Sequence, residues 1–207
     1  KKNKVKIINN NQPARNFPDY KSSILRSPKK APLILDNSIV KSTGPIFKNL
    51  DFNETDNDLT VNYSRCGKKA FGQEIFVHGY VKNESGLPLK EVLIEIWQAN
   101  AGGKYRHHSD SNNVRLDKNF AGCGRFLTGS DGYYIFKTIE PGAYPYQNRG
   151  FEWRPKHIHF SVFGSTFIQR LITQMYFEGD PLINKCPIIN AIPDQKARQL
   201  LVGKLDL

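Results

Sequence analysis

The sequence predicts an all-β protein: a β-sandwich core with long functional loops, an extended N-terminal arm and a short C-terminal helix. Two observations carry this. Several runs rich in β-branched and aromatic residues are joined by glycine-bearing turns, with no helical period between them. Aromatic residues make up 12% of the chain beside 16 Gly and 12 Pro, a balance that favours short strands and many turns. At 207 residues the chain suits one domain with an appended arm, and no internal repeat is visible.

Residues 1–50 hold no sustained period and are broken by Pro13, Pro18, Pro28, Pro32 and Pro45, so they read as an extended arm with one short apolar piece at 33–35. Residues 51–70 stay polar and irregular, which extends the arm to residue 70 and leaves 71–207 as the sandwich domain. An EF-hand is excluded in 51–70, because its glycine and closing glutamate are missing. Regular structure is expected from Glu74. Residues 75–81 are a strand, 83–86 a turn, and 89–97 the return strand, with Val92, Ile94 and Ile96 on one face and Leu93 and Trp97 on the other. Residues 99–126 form a loop with four glycines, long enough to suggest function. A turn at 130–132 leads into a strand at 133–139, then a turn-rich stretch at 141–145. Residues 153–161 (WRPKHIHFS) are a strand; Gly164 and Ser165 turn the chain into another at 167–177. Ala197, Leu200 and Leu201 recur at helical spacing after Asp194, a fitting N-cap.

Charge and cysteines narrow the function classes. The net charge is +11, yet residues 1–50 carry 11 Lys and Arg against 2 Asp and Glu, while the rest carries 19 against 17. The basicity belongs to the arm, so it points to solubility or partner docking, not to a nucleic-acid surface. Cys66, Cys123 and Cys186 are three, far apart, with no C-x-x-C pair. A disulfide framework or zinc ribbon is not expected, and a reducing cytoplasm is the default. No run reaches the length of a membrane span and no leader pattern opens the sequence, although its first residue is Lys and not Met.

Chemistry concentrates at His157 and His159. On a strand they point to one face, about 6–7 Å apart at Cα, close enough for two imidazoles to converge on one ion. Ile158 and Phe160 face the other way, toward a core, and Pro155 is tolerated only at the strand's start or on an edge. A strand with two satisfied histidines is the plain alternative. The further ligands stay open at this level. No H-x-D or H-x-E offers the carboxylate of an Fe(II) triad, and Glu152 lies beyond Pro155. His107, His108 and Cys186 are available for a zinc site. Tyrosines crowd the region instead: Tyr105, Tyr133, Tyr134, Tyr144 and Tyr146. A phenol ligates as phenolate only under a strong Lewis acid such as ferric iron. Two imidazoles and two phenolates on Fe(III) leave a net +1, suited to a dianionic aromatic diol. Tyr133, Tyr134 and Tyr176 read as buried rings with satisfied hydroxyls.

Five motifs then stand in matching order: WQANAGGKYRH at 97–107, DGYY at 131–134, PGAYP at 141–145, WRPKHIHFS at 153–161 and YFEGD at 176–180. With them the chain resembles the intradiol ring-cleaving dioxygenases, nearest the β-subunit branch that acts on protocatechuate, from about residue 20 to 207. The resemblance implies a β-sandwich and one mononuclear non-haem Fe(III) per chain, held by Tyr105, Tyr144, His157 and His159. It makes Tyr105 the ligand released on substrate binding, gives Arg154 the stabilisation of negative charge, and sets Gln174 beside the oxygen site. Trp97, Tyr146 and Ile188 would line the ring pocket, and Tyr20 would reach the substrate carboxylate. The implied reaction is ortho cleavage of protocatechuate by O₂ to 3-carboxy-cis,cis-muconate, with catechol or hydroxyquinol as alternative diols and a non-catalytic binding module as the alternative of another class. No dinucleotide fingerprint is present. A homologous α subunit and a higher oligomer are implied as partners. Tyr146 and Ala143 depart from the family's usual Trp and Pro, and the family pattern continues past Leu207 into a closing strand.

Overall fold

The computed structural model describes residues 12–30, 50–164 and 170–206. Strands dominate: β1 (Glu74–Tyr80), β2 (Leu93–Gln98), β3 (Cys123–Leu127), β4 (Tyr133–Ile139), β5 (Tyr144–Gln147), β6 (Phe151–Arg154), β7 (His157–Phe163), β8 (Arg170–Phe177) and β9 (Val202–Gly203). The helices are short: α1 (Lys21–Arg26), a 3-10 turn at Ile183–Lys185, α2 (Pro187–Asn190) and α3 (Gln195–Gln199). None of the described helices is long and apolar enough to cross a membrane. The chain divides into two compact units, one formed by Leu33–Tyr144 and Lys156–Met175, the other by Lys1–Pro32, Pro145–Pro155 and Tyr176–Leu207.

The first unit holds two facing sheets. β1 and β4 pair antiparallel, with Val77 opposite Phe136 and Tyr80 opposite Tyr133. The other sheet runs β3-β2-β7-β8, and β2 is antiparallel to both β3 and β7. Strand alternation sends Ile94, Ile96, Phe126, Ile158 and Phe160 to one face, where all are buried. Phe136 meets that face with ring centroids 5.4 Å from Phe126 and 5.9 Å from Phe160, and Tyr134 stands 5.9 Å from Phe126. This aromatic layer is the sandwich core. By the same alternation, Glu95, Trp97, His157, His159 and Ser161 occupy the reverse face of the sheet, with Trp97 directly opposite His159. The stretch before β1 also packs: Leu59 is fully buried and its N–H donates to the Lys137 carbonyl at 2.8 Å.

In the second unit β5 and β6 form a hairpin, and the end of β8 pairs in parallel with β9, Tyr176 opposite Val202. Tyr176, Cys186 and Ile189 form a buried cluster, with Ile188 packed against it.

Several expectations needed correction. The return strand begins at Leu93, not residue 89, and does not pair with β1; β1 pairs with β4. The turn at 83–86 does close, with the Asn83 carboxamide accepting from Ser85 and Leu87 N–H groups at 3.0 and 2.9 Å. Its ladder stops at a single bridge between Lys82 and Pro88, since proline has no donor to extend it and Glu91 then adopts a left-handed φ of 54°. The loop at 99–126 ends in a strand, β3, whose glycine and five-residue length hid its signal. The arm is not wholly extended, because Lys21–Arg26 is helical. The strand expected over 153–161 is two, β6 and β7, separated at donorless Pro155. The Asp194 cap is present, accepting the Lys196 N–H at 2.8 Å. The apolar piece at 33–35 and residues 165 and 167–169 lie outside the described residues.

Candidate metal centre

Trp97 and His159 face each other across β2 and β7, and their rings stack at 4.7 Å with an interplanar angle of 7°. His157, two residues earlier on the same face, is 2% exposed, and its ring lies 4.9 Å from that of His159. The sheet thus presents both imidazoles from a rigid platform.

Tyr105 comes from the loop after β2 and Tyr144 opens β5 just after the PGA turn, and close approach of that loop and turn brings them together. Where β2 ends, the buried Gln98 side chain donates to the Ile139 carbonyl and accepts the Thr138 hydroxyl, each at 2.8 Å, tying the strand to the end of β4. Asn100, also buried, folds the next turn: its side-chain oxygen accepts from Gly102 and Lys104 N–H groups at 3.0 and 2.9 Å. Its carbonyl accepts the Gly142 N–H at 2.9 Å, which docks the PGAY turn onto this loop. Only glycine fits at that junction. A Cβ on Gly103, whose φ is +82°, would lie 2.2 Å from the Ala143 carbonyl oxygen, and one on Gly142 would lie 2.4 Å from that of Ala101. Asp110 fixes Tyr105 by accepting its N–H at 2.7 Å, and Lys104 neutralises that carboxylate from 3.4 Å.

The result is convergence. The Tyr105 and Tyr144 hydroxyl oxygens each lie 3.4 Å from His157 Nε2. Their rings meet edge to face at 5.3 Å, and the Tyr105 ring is 6.3 Å from His159. Two donors each about 2 Å from a common ion at a near-tetrahedral angle stand roughly 3.3 Å apart, so this spacing would suit ligands sharing one ion. Among the described residues no group of three His, Cys, Asp or Glu gathers to offer a different metal site. The donor set here is imidazole and phenol, which fits a hard trivalent cation able to displace phenolic protons.

The remaining candidates divide between the two units. Gln174 lies half-buried on β8, the neighbour of β7. His107 and His108 are exposed and lie ring against ring at 4.3 Å, with His107 Nδ1 accepting the Ser109 N–H. Burial raises the Tyr134 phenol, consistent with a core ring. In the second unit Arg154 is 5% exposed, its guanidinium 6.0 Å over the Tyr146 ring and its Nη2 3.4 Å from the Tyr176 hydroxyl. Burial, and then the Glu152 carboxylate that accepts its hydroxyl at 3.0 Å, push the Tyr146 phenol far above its ordinary value. Tyr20 caps the start of α1 with an extended backbone, and its hydroxyl accepts from Arg26 at 2.5 Å. Cys186 is buried in the cluster with Tyr176, and Ile188 stands beside it on α2. Sequence reasoning missed Gln98, Asn100 and Asp110, which shape the loop that carries Tyr105; the run Asn100-Ala101-Gly102-Gly103 was the available signal.

Comparison with known proteins bears on the chain's family. Residues 42–207 match a family model described as dioxygenase, and residues 10–38 match the N-terminal model of the protocatechuate 3,4-dioxygenase beta subunit. The chain is 44% identical over 195 residues to the protocatechuate 3,4-dioxygenase beta chain of Burkholderia cepacia, covering 94% of this chain and 82% of that one. It is 32% identical over 135 residues to the corresponding alpha chain of Pseudomonas putida, covering 64% of each. Among solved structures, 3-chlorocatechol 1,2-dioxygenase from Rhodococcus opacus 1CP superposes with a TM-score of 0.57 at 24% identity, over 82% of this chain and 68% of that one, a likeness of fold.

Proposed function

The chain belongs to the dioxygenase family of intradiol ring-cleaving enzymes, and from that premise we propose that it cleaves protocatechuate between its two hydroxyl-bearing carbons. Both atoms of O₂ enter the product, 3-carboxy-cis,cis-muconate. The observation that carries this is the meeting of two phenol oxygens on one imidazole nitrogen beside a second imidazole. Tyr105, Tyr144, His157 and His159 would hold one Fe(III) per chain. When bound, that ion supplies the Lewis acidity that ionises the diol and the charge transfer that opens its ring to O₂.

The chain's own residues do the rest. Tyr105, borne on a loop, would be the ligand that gives way to substrate, and its phenolate oxygen would take a proton from the diol. Tyr144 and the histidines stay; Trp97, flat against His159, holds that imidazole's plane. The family motif gives Arg154 the negative charge that develops on the substrate oxygens, where a buried guanidinium acts most strongly. Gln174 serves the oxygen side, Trp97, Tyr146 and Ile188 the ring, and Tyr20 the carboxylate. Pairing with a homologous α chain in a larger assembly is part of this reading, and relatives named as α and β chains support it.

Oxygen uptake by the iron-loaded protein with protocatechuate, catechol and hydroxyquinol in turn tests this. Preference for protocatechuate with formation of the carboxymuconate is expected; a preference for either other diol would reassign the substrate, and no uptake with any would remove the activity.

A further inference from the structure

We infer that Asn148 and Glu152 are positioning residues that clamp the arm on both sides of Tyr20 and tie it to Tyr146, so tuning recognition of a carboxylate-bearing diol. The inference deepens the function proposed above and rests on it. All of its contacts lie within one compact unit. Asn148 sits in the turn between β5 and β6 and is 7% exposed. A buried amide has to place its donors and its acceptor, and this one places them on the arm and on Glu152. Its oxygen accepts the Lys21 N–H at 2.8 Å, and its nitrogen donates to the Asp19 carbonyl at 2.6 Å. Those two main-chain groups flank Tyr20, so a single side chain does for that residue what a neighbouring strand would do.

Further back along the arm, the Ala14 N–H donates to the Ala191 carbonyl at 3.1 Å. α1 buries none of its residues, so apolar packing does not secure it. Arg149 adds a second hold, donating to the Pro18 carbonyl at 2.8 Å and pairing with Asp19 at 3.4 Å. The Asn148 nitrogen also reaches the two Glu152 oxygens at 3.3 and 3.1 Å, and the Tyr146 hydroxyl donates to the same carboxylate at 3.0 Å. Charge-assisted bonds of this kind are among the stronger ones. A tyrosine at position 146 extends a hydroxyl past its ring, and Glu152 is the acceptor that fixes it. The path from the Tyr20 backbone through Asn148 and Glu152 to Tyr146 therefore joins two residues assigned to the substrate.

The test uses the iron-loaded full chain with protocatechuate and, as the diol lacking a carboxylate, catechol. Asn148→Ala breaks the clamp outright. Lys21→Pro replaces the N–H given to Asn148 by a ring carbon and removes an exposed side chain: the site is the first helical position, where proline is accommodated, and Tyr20 is already out of the helical region (φ −109°, ψ 95°). KM for protocatechuate should rise about tenfold in Asn148→Ala and about threefold in Lys21→Pro, as expected for losing several or one hydrogen bond. Its kcat and both catechol constants should move far less. In the iron-free protein, amide exchange should quicken at residues 19–21 in Asn148→Ala and at residues 19 and 20 in Lys21→Pro, which has no amide at 21. Glu152→Gln, which keeps an acceptor, should restore most of what Glu152→Ala loses. Equal effects on the two diols, or unchanged KM and exchange in Lys21→Pro, would overturn the clamp; Lys21→Pro decides alone should Asn148→Ala not fold. A wild-type protein inactive on protocatechuate would instead sink the parent reading and the clamp's role with it.

Discussion

Gly142→Ala probes the junction that brings the two phenols together. A methyl placed there would stand 2.4 Å from the Ala101 carbonyl oxygen, 2.5 Å from the Gly103 nitrogen and 2.9 Å from the Gly102 carbonyl carbon. All three are backbone atoms, so no side-chain rotation relieves the clash. Restoring ordinary contact near 3.4 Å requires the two loops to part by about 1 Å. Overpacking on that scale costs about 1–3 kcal/mol, which for a chain of this size lowers the melting temperature by about 2–12 °C. The functional effect should be larger in proportion. Tyr144 lies two residues on and Tyr105 two residues past Gly103, so the parting moves their oxygens directly, and a misplacement of about 1 Å can reduce turnover about a hundredfold. The assay is a thermal melt of the iron-free protein, with visible absorption and oxygen uptake after iron loading. Gly150→Ala is the matched control, since a methyl there meets nothing within 4 Å. A Gly142→Ala protein that melts, absorbs and turns over as the wild type does would refute the close-approach reasoning.

Other predictions concern single side chains. Iron-loaded protein should show tyrosinate-to-iron charge transfer in the visible; Tyr144→Phe should lose that band or the iron, while Tyr134→Phe, in the aromatic core, should keep both. Trp97→Ala removes the ring stacked on His159 and should weaken iron affinity about three- to tenfold by competitive chelation, as a stack worth roughly 1 kcal/mol implies. Arg154→Ala should lower kcat about 10²- to 10³-fold with iron content kept, the usual scale for losing one preorganised charge; iron loss as the main effect would contradict its role. Burial raises the Tyr134 phenol, so the folded state keeps a proton that the unfolded chain releases near its ordinary value of 10.0. Stability from this group is complete below about pH 10 and declines as the pH climbs past it. Tyr134→Phe should therefore flatten the alkaline fall in melting temperature, measured from about pH 9 to 11.

What could be read from the chain alone was whatever depends on local period and on short motifs. Alternation put His157 and His159 on one face and Ile158 and Phe160 on the other, and the sheet keeps that division. Asp194 was legible as a cap because its bond spans two residues. Pairing was not legible. That β1 joins β4 and not β2 depends on a ladder interrupted at Pro88 and Glu91 and on aromatic packing between Phe136 and Phe160, contacts that no local pattern encodes. The same holds at the site. The motifs named Tyr105 and Tyr144, but only the tertiary structure, through Gly103 pressed against Ala143 and Gly142 bonded to Asn100, carries two phenols 39 residues apart to one imidazole nitrogen. Periodicity acts between neighbours in the chain, whereas a coordination sphere is decided by which distant backbones can touch.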